Sequence, residues 1–207
     1  MPTTLVLVRH GEARAATEQF IAGHDGCKGL SDLGRSQAAA LRDRLARTGE
    51  LRPDVVAASI LPRAIETAQI TFSNADLVTN CDWCEQHVGE ADGMSIEDFT
   101  RVYGGFNDAD PDHPISPGGE SGRVFDARVR RALDALHEDY RDQTLVLFTH
   151  GGFVATATAH ALGAPGLHAQ ASPLLGQAYN TSMTVLVSDN GGPWSLGRYN
   201  DAAHLDG

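Results

Sequence analysis

Short apolar runs alternate with longer amphipathic stretches along this chain, and the alternation predicts an α/β fold. Leu5 to Val8 is a run of four apolar, partly β-branched residues, which predicts a strand buried on both faces. Runs of the same kind predict strands over residues 54–59, 144–149 and 182–188, and an edge strand over residues 194–199.

Helical periodicity fills the stretches between these runs. One helix is predicted over residues 37–47, with Ser31 as its N-cap and Gly49 as its C-terminal stop. A longer helix begins near Ser121, and a third spans residues 152–162 before Gly163 and Pro165. Strands that alternate with helices favour a three-layer α/β/α sandwich around a mostly parallel sheet.

No internal repeat or linker divides the 207 residues, a length that fits one domain. We therefore expect a single domain over residues 1–207, with a lid-like excursion around residues 85–120. The excursion is predicted from a run of turn residues, with three prolines between Phe106 and Gly119.

The charge and hydropathy of the chain exclude several classes of function. With 27 acidic and 16 basic residues the net charge is −11, a poor basis for nucleic-acid binding, which depends on neutralising phosphates. No apolar run approaches the roughly 18–20 residues that span a bilayer, and residues 5–8 are too short for a signal sequence. These features predict a cytoplasmic protein without a membrane or nucleic-acid partner; they leave its oligomeric state open.

Three cysteines give no disulfide framework, which agrees with that location. Cys81 and Cys84 form a lone Cys-x-x-Cys pair. Structural zinc usually takes four ligands, and the chain holds no second cysteine pair. On this reasoning we expect no metal ion and no cofactor.

Side chains that can bind a ligand or take part in catalysis follow three of the predicted strands. Arg9 and His10 follow the first strand, Arg63 follows the second, and His150 and Gly151 follow the third. Because the carboxyl ends of parallel strands meet at one edge of a sheet, we expect these residues to converge there.

Such a set suits a phosphate. Guanidinium groups match a phosphate oxyanion and stay charged, and glycines let backbone N–H groups approach it. Nearby positive charges keep a histidine ring neutral, so one histidine can act as a nucleophile. A metal site is the rival for paired histidines, but it would require carboxylate or thiolate partners where the sequence supplies arginines.

The motifs around these residues resemble those of the histidine phosphatase superfamily, the phosphoglycerate mutase-like proteins. Seven blocks recur in order from residue 5 to about residue 188, nearly the whole chain. They are Arg9-His10-Gly11-Glu12; Gly23 and Asp25 with Leu30-Ser31-x-x-Gly34-x-x-Gln37-Ala38; Ser59-x-Leu61-x-Arg63-Ala64-x-x-Thr67-Ala68; Glu85-x-x-x-Gly89-x-x-x-Gly93; Pro117-Gly118-Gly119-Glu120-Ser121; His150-Gly151; and Asn180-Thr181-Ser182.

The resemblance implies a role for each matching position. His10 would be the nucleophile that becomes phosphohistidine, and Arg9, Arg63, His150 and Gly151 would hold the phosphoryl oxygens, with His150 also counted as catalytic. Glu85 would protonate the leaving oxygen and later activate water. The reaction requires such an acid because an alkoxide leaves slowly without a proton. The residues alone do not show whether Glu85, Glu90 or Asp92 is that acid.

Two departures from the family pattern concern the substrate site. Ala13 and Ala16 stand where the family often has threonine and asparagine, and the asparagine usually adds a contact to the phosphate. Ala91-Asp92 replaces a frequent Trp-Glu pair. Residues 85–113 hold eight acidic residues and one basic residue, Arg101, so this segment is either an acidic lid that selects substrates or a solvated surface.

Three functions remain open on these residues. The leading expectation is a metal-independent phosphomonoester hydrolase that acts on a phosphorylated small molecule or a phosphoprotein through a phosphohistidine. The second is phosphoryl transfer of the phosphoglycerate mutase type. The third is a non-catalytic binding protein on the same fold.

Overall fold

A computed structural model describes residues 1–106, 110–164 and 175–206. Within these residues the chain forms six strands and six α-helices. The strands are β1 (Thr3–Arg9), β2 (Val55–Ser59), β3 (Leu77–Asn80), β4 (Thr144–Thr149), β5 (Met183–Ser188) and β6 (Ser195–Asp201). The helices are α1 (Arg14–Glu18), α2 (Asp32–Thr48), α3 (Pro62–Thr71), α4 (Ile96–Tyr103), α5 (Gly122–Asp139) and α6 (Gly151–Ala161).

The strands form one mixed sheet in the order β3-β2-β4-β1-β5-β6. The first four of these are parallel to one another, whereas β5 runs antiparallel to β1 and to β6. The prediction of an α/β fold with a mostly parallel sheet is confirmed, and β6 is an edge strand as expected. The carboxyl ends of β1, β2 and β4 therefore lie side by side, which positions the site described below.

Alternate residues of the central strands supply two separate cores. Leu5 and Leu7 of β1 pack with α5 and α6 on one face of the sheet. Val6 and Val8 face the other way and pack with α2 and α3. Because a strand directs successive side chains to opposite faces, a continuous apolar run buries both faces and produces the three layers.

The predicted helix boundaries rest on local capping. The side-chain oxygens of Ser31 and Ser121 accept hydrogen bonds from the backbone N–H groups of Gly34 and Val124, so both serines are N-caps. Gly49 ends α2 in the left-handed conformation, with φ of 62°. Pro165, the predicted stop after the third helix, lies outside the described residues.

The sequence pattern did not predict β3, α1, α3 or α4. β3 is a short edge strand whose side chains are mostly exposed, so it lacks a buried apolar run. α3 buries Ala64, Thr67, Ala68 and Thr71, and this face of small side chains gives only a weak hydrophobic stripe.

An excursion separates β3 from α5. It contains 3₁₀ turns at Cys81–Trp83 and Gly89–Ala91 and the helix α4. Phe99 and Val88 of this excursion pack with Ile21 in a third, smaller core cluster. No helix among the described residues is long and apolar enough to span a membrane.

Candidate active site

The ends of β1, β2 and β4 bring His10, Arg63 and His150 together. The imidazole rings of His10 and His150 meet edge to face, with their centroids 5.1 Å apart. Arg63 lies in the first turn of α3 and donates its Nε–H to Nε2 of His10 at 3.1 Å. All three residues are buried. The convergence expected from the strand ends is therefore what the structure contains.

His10 is held as a neutral ring whose Nε2 carries a lone pair and no proton. Its Nδ1–H donates to the carbonyl oxygen of Gly11 at 2.6 Å, which leaves Nε2 as the unprotonated nitrogen. Burial lowers the pKa of His10 well below its usual value, and the charges of Arg63 and Arg9 lower it further. The sequence reasoning credited the arginines alone, whereas desolvation is the larger cause. At neutral pH the Nε2 atom can act as a nucleophile.

His150 presents a hydrogen-bond donor that has no protein partner. The Ser59 hydroxyl accepts the backbone N–H of Leu61 at 3.4 Å, so its own proton points to Nε2 of His150 at 2.7 Å. The ring proton of His150 then resides on Nδ1, a buried atom without a partner among the described residues. Burial and the nearby positive charges lower the pKa of this ring as well.

Arg9 has a second buried donor of this kind. Its Nη1 donates to the carbonyl oxygen of Ala178, while its Nε is buried without a partner in the described part of the chain. Burial lowers the pKa of Arg9 and the negative charge of Glu85 raises it. Buried unsatisfied donors are costly unless something accepts from them, so the two donors of Arg9 and His150 indicate an anion site.

Glu85 enters the site at the N-terminus of α6. Its Oε2 accepts the backbone N–H of Gly152 at 2.9 Å and its Oε1 accepts that of Gln86 at 3.2 Å. A Cβ atom at position 152 would lie 2.2 Å from Oε1 of Glu85, so only glycine leaves room for this carboxylate. The structure thus places the carboxylate selected by the family resemblance beside the histidine pair.

The two alternative carboxylates have other partners. Asp92 accepts the backbone N–H groups of Gly23, Asp25 and Gly26 at 2.6–3.1 Å and so shapes the loop before α2. Glu90 is exposed, and its Oε2 accepts the hydroxyl of Tyr103 at 3.4 Å. Neither carboxylate is brought to the histidine pair by these contacts.

A buried ion pair supports the segment that carries Glu85. Arg128 of α5 pairs with Glu120 at 2.7–2.8 Å. The same guanidinium donates to the carbonyl oxygens of Asp82, Cys84 and Glu85 at 2.9–3.1 Å. Arg128 was missed from the sequence, because nothing in the helical pattern around it distinguishes it from a surface arginine.

Further polar groups hold the backbone of the His10 turn. The hydroxyl of Thr67 accepts the backbone N–H of Gly11 at 3.1 Å, and the side chain of Asn180 donates to the carbonyl oxygen of His10 at 2.9 Å. Both residues stand in the motifs quoted above, so the signal for them was present although no role was assigned. Two alanines stand where the family often has threonine and asparagine. Ala13 is buried beside the strand end, and Ala16 is exposed on α1.

The chain is similar to known proteins both in sequence and in structure. The sequence model of the histidine phosphatase superfamily (branch 1) matches residues 5–202. The chain is 30% identical to two Arabidopsis thaliana proteins, phosphoglycerate mutase-like protein 4 and a metal-independent phosphoserine phosphatase. These matches cover 98% of this chain in both cases, and 86% and 83% of the relatives. The structure of mycobacterial glucosyl-3-phosphoglycerate phosphatase in complex with VO3 superposes with a TM-score of 0.75 at 28% identity, covering 95% of this chain and 98% of that one.

Proposed function

The chain belongs to branch 1 of the histidine phosphatase superfamily, and we propose that it passes the phosphoryl group of a phosphomonoester through His10 to water. It is a phosphatase with the phosphoglycerate mutase-like fold, so the resemblance seen in the motifs is confirmed. The roles of individual residues and the nature of the substrate are the proposed part.

One observation carries the proposed roles. The unprotonated Nε2 of a neutral histidine accepts from Arg63, and the same strand ends carry two buried donors, Nε of Arg9 and Nδ1 of His150, that lack protein partners in the described residues. A phosphoryl group bound at Nε2 would supply the missing acceptors. Fixed donors aimed at developing negative charge are the main means by which such a site lowers a barrier.

In the first step Nε2 of His10 attacks phosphorus and the bond from phosphorus to the ester oxygen breaks. Glu85, entering the step protonated, gives its proton to the departing alkoxide. Arg9, Arg63 and His150 hold the three remaining phosphoryl oxygens, whose charge spreads as the bond breaks. The products are an alcohol and phospho-His10.

In the second step water attacks the phosphorus of phospho-His10. The Glu85 carboxylate takes a proton from that water, and the bond from nitrogen to phosphorus breaks with its electron pair returning to Nε2. Inorganic phosphate leaves and Glu85 is again protonated. Every group in the cycle belongs to the protein, the substrate or the attacking water, so the chemistry requires no metal ion.

We propose phosphorylated small molecules as the substrate class. The named relatives support this, since they act on phosphoserine and on glucosyl-3-phosphoglycerate. A phosphoprotein remains the alternative substrate. A cytoplasmic location is proposed too, supported by three free cysteines, a state typical of reducing compartments.

Gly152→Ala should weaken catalysis without unfolding the protein. The new Cβ would occupy the position of Oε1 of Glu85, and the flexible carboxylate would move because it is easier to displace than the α6 backbone. Displacing a reacting group by about 1 Å can cost about 100-fold, so we expect kcat on alkyl phosphates to fall by roughly 10–100-fold. Steady-state kinetics on an alkyl phosphate measures the loss.

Gly197→Ala is the matched control. A Cβ at Gly197, on edge strand β6, would make ordinary contacts of 3.6 Å or more, and its turnover should equal that of the wild type. Wild-type turnover by Gly152→Ala would mean that the carboxylate of Glu85 has no part in the reaction.

Hydrolysis and phosphoryl transfer can be separated by the fate of phospho-His10. A phosphoglycerate mutase must bind a second acidic group on its substrate, which calls for free cations near the site. Residues 85–106 contain one cation, Arg101, and that guanidinium already pairs with Asp98. We therefore expect phospho-His10 to react with water well ahead of 3-phosphoglycerate.

The experiment follows labelled phosphate from trapped phosphoenzyme while 3-phosphoglycerate is present. Most of the label should appear as inorganic phosphate. Label found mainly in 2-phosphoglycerate or a bisphosphate would show that the protein is a mutase and not a hydrolase. If the protein forms no phosphoenzyme and hydrolyses no phosphomonoester, the non-catalytic alternative is correct.

A further inference from the structure

Two cysteines and two histidines outside the catalytic set converge on one point beside the Glu85 segment. They are His24, Cys81, Cys84 and His87, whose potential ligand atoms all lie within 4.8 Å of one another. Nε2 of His24 lies 3.3 Å from Sγ of Cys81, and Nε2 of His87 lies 3.6 Å from the same sulfur. The two imidazole rings meet edge to face with centroids 4.8 Å apart.

The two distances from Sγ of Cys81 match the dimensions of a tetrahedral zinc site. Zinc binds cysteine sulfur at about 2.3 Å and histidine nitrogen at about 2.0–2.1 Å, so tetrahedral angles place sulfur and nitrogen ligands about 3.6 Å apart. The two sulfur–nitrogen distances around Cys81 differ from that value by a few tenths of an ångström at most. Two cysteines and two histidines are also one of the ligand sets that structural zinc prefers.

Two segments with independent supports deliver the four side chains. We call residues 20–28 the His24 loop and residues 81–87 the Glu85 loop. In the Glu85 loop a 3₁₀ turn closes with the backbone N–H of Cys84 donating to the carbonyl oxygen of Cys81, which directs both thiols to one side. In the His24 loop the Asp92 carboxylate holds the backbone N–H groups of Gly23 and Asp25 on either side of His24.

One carboxylate lies next to the cluster. Glu120 accepts the backbone N–H of His87, and its carboxylate lies 3.9 Å from Nδ1 of that ring, where a carboxylate can orient a histidine ligand. Cys84 is fully buried, so the site is closed on one side.

We propose that His24, Cys81, Cys84 and His87 bind a zinc ion that ties the His24 loop to the Glu85 loop. Four protein ligands complete the tetrahedral coordination and leave no position for water or substrate, so the ion is structural and takes no part in phosphoryl transfer. The expectation of no metal ion rested on the lack of a second cysteine pair in the chain. The partners are histidines, and one of them lies 57 residues from Cys81.

The residues around the proposed zinc site connect to Glu85 and to Arg63 of the catalytic centre. Three of its ligands flank Glu85 in the sequence. On the other side, Nη1 of Arg63 donates to the carbonyl oxygen of Ala22 and to Sγ of Cys27, both in the His24 loop, at 3.1 and 3.3 Å. A zinc ion would therefore hold the supports of the general acid and of a phosphate-binding arginine at a fixed separation.

The first test is metal content and coordination. Untagged protein purified in reductant and without chelator should contain one zinc ion per chain by elemental analysis. After chelation, titration with Co²⁺ should produce the visible bands of tetrahedral cobalt together with thiolate charge-transfer absorption. Binding at a stoichiometry below one, or an octahedral cobalt spectrum without thiolate absorption, would overturn the proposal.

The variants for this test are chosen to fold. His24→Ala removes an exposed ligand, and Cys81→Ser replaces a half-buried one by a side chain of similar shape. Removing a group that contacts a ligand but not the metal costs roughly 10–100-fold in metal affinity. Each of these two substitutions removes a ligand and should weaken Co²⁺ binding by more than that. Cys27→Ser and His113→Ala are the matched controls, since neither residue belongs to the cluster, and both should bind Co²⁺ as the wild type does. Equal binding by His24→Ala and wild type would refute the four-ligand site.

Thermal unfolding supplies a readout independent of activity. Removing zinc from the wild type should lower Tm by about 5–10 °C, because an ion bound only by the folded state stabilises it. His24→Ala should unfold near the temperature of the zinc-free wild type, and chelation should change its Tm no further. A Tm that chelation leaves unchanged in the wild type would argue against the site.

The outcome is separable from the proposed function. Below its Tm, zinc-free protein should still form phospho-His10 from a labelled phosphomonoester, because no step uses the ion. A failure of zinc binding would leave that labelling intact, whereas a failure of the phosphatase proposal would abolish labelling with the metal bound. Labelling that is slower without zinc agrees with an ion that positions these supports, whereas labelling that is abolished in folded zinc-free protein and restored by zinc would contradict the structural role.

Discussion

His10→Ala is expected to abolish phosphomonoester hydrolysis. The substitution removes Nε2, the unprotonated nitrogen of His10 that accepts from Arg63 and that we propose as the nucleophile. Without a nucleophile the phosphoenzyme cannot form, and turnover should fall by roughly 10⁴–10⁶-fold, the scale seen when a hydrolase loses its nucleophile. Steady-state turnover and acid-quenched labelling with radioactive substrate measure both effects.

The wild type should carry an acid-labile, base-stable label on His10. The free energy of unfolding of His10→Ala should change by about 1 kcal/mol, because the ring lies at a strand end among polar groups and outside the two hydrophobic cores. His113→Ala, which alters an exposed histidine, should keep wild-type turnover. Wild-type turnover by His10→Ala would end the phosphohistidine mechanism.

Glu85→Gln is expected to slow alkyl phosphates far more than aryl phosphates. Glutamine has the shape of glutamate, and its Oε1 can still accept the backbone N–H of Gly152. It has no acidic proton for a departing alkoxide, so hydrolysis of alkyl phosphates should fall by roughly 10²–10⁴-fold. Aryl phosphates with good leaving groups depart without that proton, and their first step should lose much less.

The measurement is the burst of released alcohol or phenol in rapid-quench kinetics, which isolates the first step. Glu90→Gln is the matched control, because it neutralises an exposed carboxylate of the same excursion, and it should behave as the wild type does. Equal losses on both substrate classes in Glu85→Gln would assign Glu85 a purely structural role and return attention to Glu90 and Asp92.

Local patterns in the sequence specified the layers of the fold and one edge of the site. A run such as residues 5–8 buries both faces of a strand wherever it lies, and the serine caps of α2 and α5 act within four residues. Arg9, His10, Arg63 and His150 could be predicted together because each follows a strand, and parallel strands end at one edge.

The acid and the zinc site depended on tertiary structure. Residue spacing left Glu85, Glu90 and Asp92 equivalent as candidates, and only folding pairs Glu85 with the backbone of Gly152, 67 residues away. The local pattern showed the Cys81 and Cys84 pair, but His24 reaches it only because the loops that carry them are packed side by side.

The features that the sequence predicted and those that it did not differ in how far apart along the chain the interacting groups lie. Strand burial and helix capping depend on neighbours within a few residues, so their signals remain visible in a linear sequence. The Arg128 contacts to the Glu85 loop and the Ser59 contact to His150 join groups 43 to 91 residues apart. Such contacts form only when the sheet and its helices have fixed the loops in space, and no periodicity in the chain records them.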